Sequence, residues 1–240
     1  MKNSRDIYKK GDVNFYGFIY GANITVTKDV YIPTPESKHL IREVVKQAIF
    51  LDANLIVDVG TGSGALAIQT YIRCANFVGG SFEHLKFKPN IIAADISEEA
   101  LKIAKKNIQK YNTYNFSKYI TIQKSNYVDD LVCEEPDIIM ANLPWGSRYT
   151  ALSSNIERGL DAQPSLAIYD PDGPMGAYKK LFESIQKKGW DKSVVIFETG
   201  KQNKLSVDRI LPKDYKFIRK EWKRCGKLYY SIGIAYKRIR

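Results

Sequence analysis

The feature that most constrains this chain is a run of glycines at alternate positions. The short apolar stretch Leu55–Val59, interrupted only by Asp58, leads directly into Gly60-Thr61-Gly62-Ser63-Gly64, and a helical pattern follows over residues 65–72. Glycine permits a tight left-handed turn and lets backbone N–H groups approach a ligand where a helix begins. A strand, a glycine loop and a helix in that order predict the ligand-binding edge of an α/β sheet. The next predicted strand, residues 91–94, ends at Asp95, where a carboxylate can accept two ribose hydroxyls. Asp58, Gly60, Thr61, Gly62, Ser63, Gly64 and Asp95 are therefore candidate binding residues for a nucleoside-bearing small molecule. The competing reading is a glycine turn that serves only to pack helix on strand.

The rest of the chain keeps the same rhythm. Residues 119–122, 137–140 and 194–197 are short and rich in Ile and Val, the pattern of strands buried on both faces. Between them lies Glu98–Lys110, with Leu101, Ala104 and Ile108 on one face and Lys102, Lys105, Lys106 and Lys110 elsewhere. Residues 15–35 alternate aromatic and β-branched positions and read as short strands or a hairpin, and a helix is expected from Glu36 onward through Leu40, Ile41, Val44, Val45 and Ala48. Residues 215–236 read as two strands around Gly226. The fold class expected is α/β: a Rossmann-like, doubly wound, mostly parallel sheet with a closing antiparallel hairpin, plus a small amino-terminal β-hairpin and helix. Residues 1–52 are expected to form strands and a helix that pack on a main domain spanning 53–240. A long interval between Gly60 and Asp95 suggests an insertion over 76–89.

Composition narrows the partners. Apolar residues make up 44% and charged residues 26% of the 240, and no stretch reaches the ~18 to 20 apolar residues of a membrane span. The first eleven residues resemble neither a secretory signal nor a transit peptide, so a cytoplasmic protein without a membrane role is expected. The formal charge is +11, from 37 Lys and Arg against 26 Asp and Glu. The excess gathers toward the carboxyl end, at Lys213, Lys216, Arg219, Lys220, Lys223, Arg224, Lys227, Lys237, Arg238 and Arg240. Such a field suits a polyanion, although a Lys-rich genome accounts for it equally well. Cys74, Cys133 and Cys225, with His39 and His84 far apart, show no metal-ligand spacing, and no metal site is expected.

A second motif follows the strand that begins near Asp137: Asn142-Leu143-Pro144-Trp145. At the carboxyl edge of a parallel sheet it stands over the same crevice as the glycine loop. An amide or aryl NH2 has a delocalised lone pair, so its nitrogen must pyramidalise and gain positive charge as it attacks a methyl group. The Asn142 side-chain oxygen and the Leu143 carbonyl can accept its two hydrogens, stabilising that charge in the transition state. Trp145 can stack on a flat substrate. An Asn-x-Pro turn with a core Trp is the plainer reading. Glu198 and Asp172 read as capping or solvated groups, and the acidic pairs Asp129 with Asp130 and Glu134 with Glu135 as solvated loop residues.

Asp58 to Gly64 resembles motif I of the class I S-adenosylmethionine (AdoMet) methyltransferases, and Asp95 matches their acid at the end of the second strand. Asn142 to Trp145 resembles the N-P-P-Y motif of amino-methyltransferases. Flanking segments are similar to the HemK-type protein-(glutamine-N5) methyltransferases in particular: Tyr16-Gly17 or Tyr20-Gly21, Ile24-Thr25-Val26, Ile32-Pro33-Thr34-Pro35-Glu36, Ser125-Asn126-Tyr127, Gln163-Pro164, Ala167, Asp172-Gly173, Tyr178, and Glu198-Thr199-Gly200 with Gln202. The resemblance implies AdoMet as cofactor, bound by the motif residues above together with Ile96, Asn126, Tyr127 and Asn142. It implies catalysis at Asn142, Leu143, Pro144 and Trp145, with Pro35, Asn142, Pro144 and Trp145 meeting a release-factor-like protein substrate. Four departures stand out: Leu143 for the first proline, Trp145 for tyrosine, Thr34 for arginine and Asn126 for aspartate. The chain also leaves little room for the family's amino-terminal helical domain. Other readings stay open: an N6-adenine methyltransferase holding RNA or DNA through the basic carboxyl-terminal region, a small-molecule or peptide N-methyltransferase, and a non-catalytic AdoMet-binding subunit.

Overall fold

The structure is a computed structural model. It describes residues 12–15, 22–34, 37–76, 87–111, 115–144, 163–170, 172–173, 175–200, 204–224 and 227–237. Pro35, Glu36, Trp145, Gln202, Cys225, Gly226, the Tyr16-Gly17 and Tyr20-Gly21 pairs and most of the expected insertion lie outside these.

The elements in order are β1 (Asp12–Phe15), β2 (Ala22–Thr25), α1 (Lys38–Leu51), β3 (Leu55–Val59), α2 (Ala65–Asn76), β4 (Asn90–Asp95), α3 (Glu98–Lys110), α4 (Phe116–Tyr119), β5 (Ile120–Lys124), β6 (Ile138–Ala141), α5 (Ser165–Ile168), α6 (Gly176–Lys188), β7 (Val194–Gly200), α7 (Lys204–Ile210), β8 (Tyr215–Arg224) and β9 (Lys227–Lys237). Seven strands form one sheet in the order β5-β4-β3-β6-β7-β9-β8. The first five run parallel, and β9 is antiparallel to both β7 and β8. This is the doubly wound α/β sheet with a closing hairpin that the periodicity predicts. Its order reverses between β3 and β6, which pair directly. Among the described residues no helix is long and apolar enough to cross a membrane.

Alternate residues of each central strand enter opposite cores. Ile56, Ile91, Ile138 and Ile196 pack with α1 and α2 residues such as Leu40, Val44 and Ile68. Val57, Ile92, Ile139 and Val195 pack with α6 residues such as Leu181, Phe182 and Ile185. A sheet covered by helices on both faces buries nearly every strand side chain, hence the continuous apolar runs.

Several details depart from the sequence expectations, each for a physical reason. β5 is only half buried because it is an edge strand. β6 starts at Ile138, although the Asp137 amide still donates to the Leu55 carbonyl at 3.0 Å and its carboxylate accepts from the amides of Asn54 and Leu55 at 2.8 and 3.0 Å, tying the start of β3 to β6. β1 and β2 do form an antiparallel pair. Residues 26–34, however, carry no strand, and their apolar side chains Val26, Val30 and Ile32 are buried without a ladder. Tyr119 closes a short helix rather than opening a strand.

Helix α3 matches its expected bounds because its signals are local. The Ser97 hydroxyl accepts from the Ala100 amide at 3.2 Å, Glu98 and Glu99 stand in the first turn and Lys110 in the last. Its buried face contains a polar residue that periodicity does not flag. Asn107 is fully buried; its Oδ1 accepts from the Thr25 amide at 2.8 Å, and its Nδ2 donates to the carbonyls of Thr25 at 2.9 Å and Ser63 at 2.8 Å. One side chain thus fastens β2 to the glycine loop.

Asn107→Ala removes these three hydrogen bonds to buried backbone groups, at about 0.5–1.5 kcal/mol each. We expect urea unfolding to show a loss of about 2–4 kcal/mol, most of it from the β2 end. A loss below about 0.5 kcal/mol, the range of neutral surface changes, would show that the bridge is not structural.

Candidate functional site

The three glycines after β3 all have positive φ: Gly60 at +72°, Gly62 at +54° and Gly64 at +78°. At two of them the surroundings also exclude a side chain. A Cβ on Gly64 would lie 3.2 Å from the Cβ and 3.3 Å from the Cα of Ala104 on α3, and a Cβ on Gly60 would lie 2.8 Å from Leu143 Cδ2. The turn is drawn tight by the Gly60 and Thr61 amides, which both donate to the Ala94 carbonyl at 2.9 Å. The loop is therefore pinned to β4 on one side and touches the segment after β6 on the other.

Asp58 is fully buried beneath the loop, and the Thr61 hydroxyl donates to its Oδ2 at 2.6 Å. Its Oδ1 makes no hydrogen bond of ordinary geometry, and the Ala67 amide compensates it only in part. Burial is the main reason its pKa is pushed up from 3.8 to about 7; the Thr61 hydroxyl opposes this and the Asp95 charge adds to it. Asp95 takes the opposite position, at the cleft surface. Its Oδ2 accepts from the Gly62 amide and its Oδ1 from the Ser97 amide, each at 2.9 Å. Burial raises its pKa and these amides restrain the rise. A carboxylate has about four acceptor positions, and with the Ile96 amide also directed at it, about one or two remain for a ligand.

One cleft brings the motifs together. It is lined by Gly60, Thr61, Gly62 and Ser63, by Asp95, Ile96 and Ser97, by Ser125, Asn126 and Tyr127, and by Asn142, Leu143 and Pro144. Asp58 and Gly64 are not among its lining residues; they support the loop from below and behind. Ile96 is 49% exposed, an apolar side chain held open at the cleft. Tyr127 is held at φ +52°, in a turn built by Asp130, whose Oδ2 accepts from the Asn126 amide and whose own amide donates to Ser125 Oγ. Asp129 accepts from the Ser184 hydroxyl at 3.0 Å. These two carboxylates are thus not merely solvated. Glu135 likewise accepts from the Ser193 amide.

Asn142 leaves the end of β6, and its Nδ2 donates to Ser37 Oγ at 3.4 Å. The Leu143 amide, which a proline there would lack, donates to the hydroxyl of Tyr178 at 3.0 Å. Tyr178 is fully buried in α6 and donates in turn to the Glu198 carbonyl at 2.6 Å. Burial drives its phenol well above the usual range. Glu198 is 6% exposed and accepts from Ser37 Oγ, so the expectation of a capping or solvated carboxylate is corrected: it is buried behind the motif. Asp172 is exposed and pairs with Lys180. Ser37, the role of Tyr178 and the Asn107 bridge escape sequence reading. The apolar spacing of Ala177, Tyr178, Leu181, Phe182 and Ile185, closed by Gly189, carries the signal for α6.

Two acceptors, the Asn142 side-chain oxygen and the Leu143 carbonyl, therefore belong to neighbouring residues of a cleft whose opposite wall is a glycine loop and an acid. Such an arrangement can hold a ribose-bearing ligand beside an NH2 group. Among the described residues no group of three His, Cys, Asp or Glu side chains could hold a metal ion.

Residues 30–158 match the family described as RMKL-like, methyltransferase domain. The release factor glutamine methyltransferase of Streptococcus pneumoniae is 29% identical over 86% of this chain and 65% of its own length. That of Mycoplasma mycoides subsp. mycoides is 31% identical over 81% of this chain and 64% of its own length. The chain thus spans just under two thirds of the length of these two curated relatives. Among solved structures, the hMettl16 catalytic domain in complex with an RNA hairpin superposes with a TM-score of 0.61 at 14% identity, covering 97% of this chain and 89% of that one. A ribosomal protein methylase of Lactobacillus delbrueckii subsp. bulgaricus does so at 0.54 and 17%, covering 88% and 82%. At these identities the likeness is one of fold.

The raised pKa of Asp58 sets a pH dependence. Between about pH 4 and about pH 7 the folded chain holds a proton that the unfolded chain releases, so this contribution to stability is present below that window and lost as pH rises through it. Asp58→Asn keeps an acceptor for Thr61 and cannot ionise. Its Tm relative to the unsubstituted chain should rise between about pH 4 and about pH 7 and level off above. An unchanged difference would show that Asp58 does not titrate there.

Proposed function

The chain belongs to the RMKL-like methyltransferase-domain family, in keeping with its HemK-type motifs, and on that footing we propose an AdoMet-dependent N-methyltransferase acting on a glutamine side-chain amide in a release-factor-like protein. The observation that carries this reading is the single cleft shared by the glycine loop and Asn142, on the two strands where the sheet order reverses. Ligands of open α/β sheets bind at that crevice. The names of the curated relatives favour glutamine as the acceptor.

The residues present fit the cofactor. A Cβ on Gly62 would meet nothing within 4 Å, so the loop presents open backbone on the cleft side. The spare acceptor positions of Asp95 suit a pair of ribose hydroxyls, and exposed Ile96 with Tyr127 offers apolar surface to a purine. Asn126 stands where the family has an acid and would supply an amide instead. When bound, AdoMet supplies an electrophilic methyl group on a sulfonium.

The protein's own part in the reaction is electrostatic and positional. Asn142 Oδ1 and the Leu143 carbonyl would accept the two hydrogens of the planar NH2. Both bonds strengthen as the nitrogen becomes pyramidal and positive, so they favour the transition state over the ground state. The surplus proton stays on the acceptor nitrogen, held toward Asn142, until water takes it after transfer. Pro144 stiffens the turn that aims these acceptors.

The basic carboxyl-terminal region, the ground for a nucleic-acid acceptor, serves the fold in part. Lys220 pairs with buried Glu43, and Lys237 pairs with Asp191 and Asp214. Arg219 lies 5.6 Å from the ring centre of Phe217.

The test is transfer of labelled methyl from AdoMet to an intact release factor, total RNA and duplex DNA in parallel. Label on the release factor is expected. Asn142→Ala should lower kcat by about 10²- to 10³-fold with AdoMet affinity little changed, as for loss of an acceptor used in the transition state. Label on nucleic acid alone would overturn the glutamine reading, and AdoMet binding with no acceptor labelled would overturn turnover itself.

A further inference from the structure

Ser37 stands at the amino-terminal cap of α1, where a serine ordinarily accepts a hydrogen bond from an amide in the first turn of its helix. Here its side chain makes no such bond. The hydroxyl, 1% exposed, instead reaches Glu198 Oε2 at 3.3 Å and Asn142 Nδ2 at 3.4 Å. These partners lie 161 and 105 residues away in sequence. A helix cap has been given up for two contacts at the wall of the cleft, which Ser37 helps to line.

The chemistry of these three groups leaves one arrangement. The Ser37 hydroxyl donates its single proton to Glu198 Oε2. The oxygen of Ser37 can then only accept from Asn142, which turns the NH2 end of that amide toward Ser37. The two ends of an amide are otherwise near-equivalent in shape, and the hydrogen-bond network decides between them. With Nδ2 toward Ser37, Oδ1 is left for the cleft, and among the described residues nothing donates to it. The opposite flip would present an NH2 to an incoming NH2, two donors that repel.

We infer that Ser37, oriented by Glu198, is a positioning residue that holds the Asn142 amide with its oxygen toward the acceptor nitrogen. The inference rests on the N-methyltransferase reading for its consequence, while the orientation itself does not depend on it. Glu198 serves the same motif twice, since its backbone carbonyl also takes the proton of Tyr178, the hydroxyl that receives the Leu143 amide. Both contacts of Ser37 are long, as such bonds often are before a substrate tightens them.

The test combines an activity-independent readout with kinetics on Ser37→Ala, Ser37→Thr and Glu198→Gln in the full chain. The side-chain NH2 signals of Asn142, identified in an asparagine-labelled 15N spectrum by their loss in Asn142→Ala, should move in Ser37→Ala and return toward their original place in Ser37→Thr. Methyl transfer to the release factor should lose about 10- to 100-fold in kcat in Ser37→Ala, the scale of a misplaced reacting group. AdoMet affinity should hold, Tm should fall by no more than the lost hydroxyl contact to Glu198 costs, because no helix cap is lost, and Ser37→Thr should recover most of the rate. Glu198→Gln, able to donate as well as accept, should fall between. NH2 signals unmoved by Ser37→Ala would overturn the inference at any level of activity, as would a kcat loss that follows Tm and is not recovered in Ser37→Thr. Should the unsubstituted chain label no acceptor, the functional reading fails, and the NH2 signals alone still decide whether Ser37 orients Asn142.

Discussion

Everything at this site depends on how closely Gly60 approaches Leu143. A single methyl group on Gly60 would sit 2.8 Å from the Leu143 side chain, so the loop that would carry the methyl donor and the turn that would receive the acceptor are in contact. Two conditions make this possible. β3 and β6 are direct neighbours in the sheet, and the residue after β3 has a backbone conformation that side chains rarely adopt. The neighbouring strand β4 completes the arrangement, because the Ala94 carbonyl receives two loop amides at once and fixes where the turn leaves the sheet. Substrate proximity here is a property of sheet topology, set before any side chain is considered.

The departure at Leu143 shows how a motif changes without losing its geometry. Proline would have supplied rigidity and no donor; leucine brings a buried N–H that must be paired or cost stability. Tyr178 meets that need from α6, and its hydroxyl passes the obligation to a β7 carbonyl. The turn is thus held by a hydrogen-bonded relay in place of a ring. Leu143 also gives back apolar contact, since it joins the core formed by Val59, Tyr178 and Phe197.

How much of this was legible in the sequence follows from the range of each signal. The glycine loop, the Asn142 turn, α3 and the central strands are encoded within a few residues, so periodicity and spacing find them. Asn107, Ser37 and Glu198 take their roles from partners 44 to 161 residues away, which no window of sequence brings together. Asn107 even sits on a face that reads as apolar. A strand reading of Val26 and Val30 fails for the opposite reason: alternation reports burial, and burial here comes from packing in the core that α1 and α2 cover, without a ladder. The expected roles of Trp145 and Pro35 lie outside the described residues.

Several local sacrifices in this fold gather at one end of the sheet, although Gln69 on α2 is also buried with neither end of its amide paired. Tyr127 holds a left-handed backbone that costs about 1–2 kcal/mol for a residue with a Cβ. Ser37 forgoes its cap, and Asp58 is buried with one oxygen poorly paired. Left-handed residues also occur away from the cleft, as at Asp52, which caps the carboxyl end of α1 in a manner common to such termini, and at Asn115, before α4. The difference lies in what the strain accomplishes. At Asp52 the turned backbone lets its own amide pair with the end of α1, so the cost is offset where it arises. At Ser37, Asp58 and Tyr127 the local cost is matched by groups brought to the edge of the cleft, which stability alone does not require. A site that shows itself through unmet local preferences is the pattern expected when a rigid fold is made to serve a reaction.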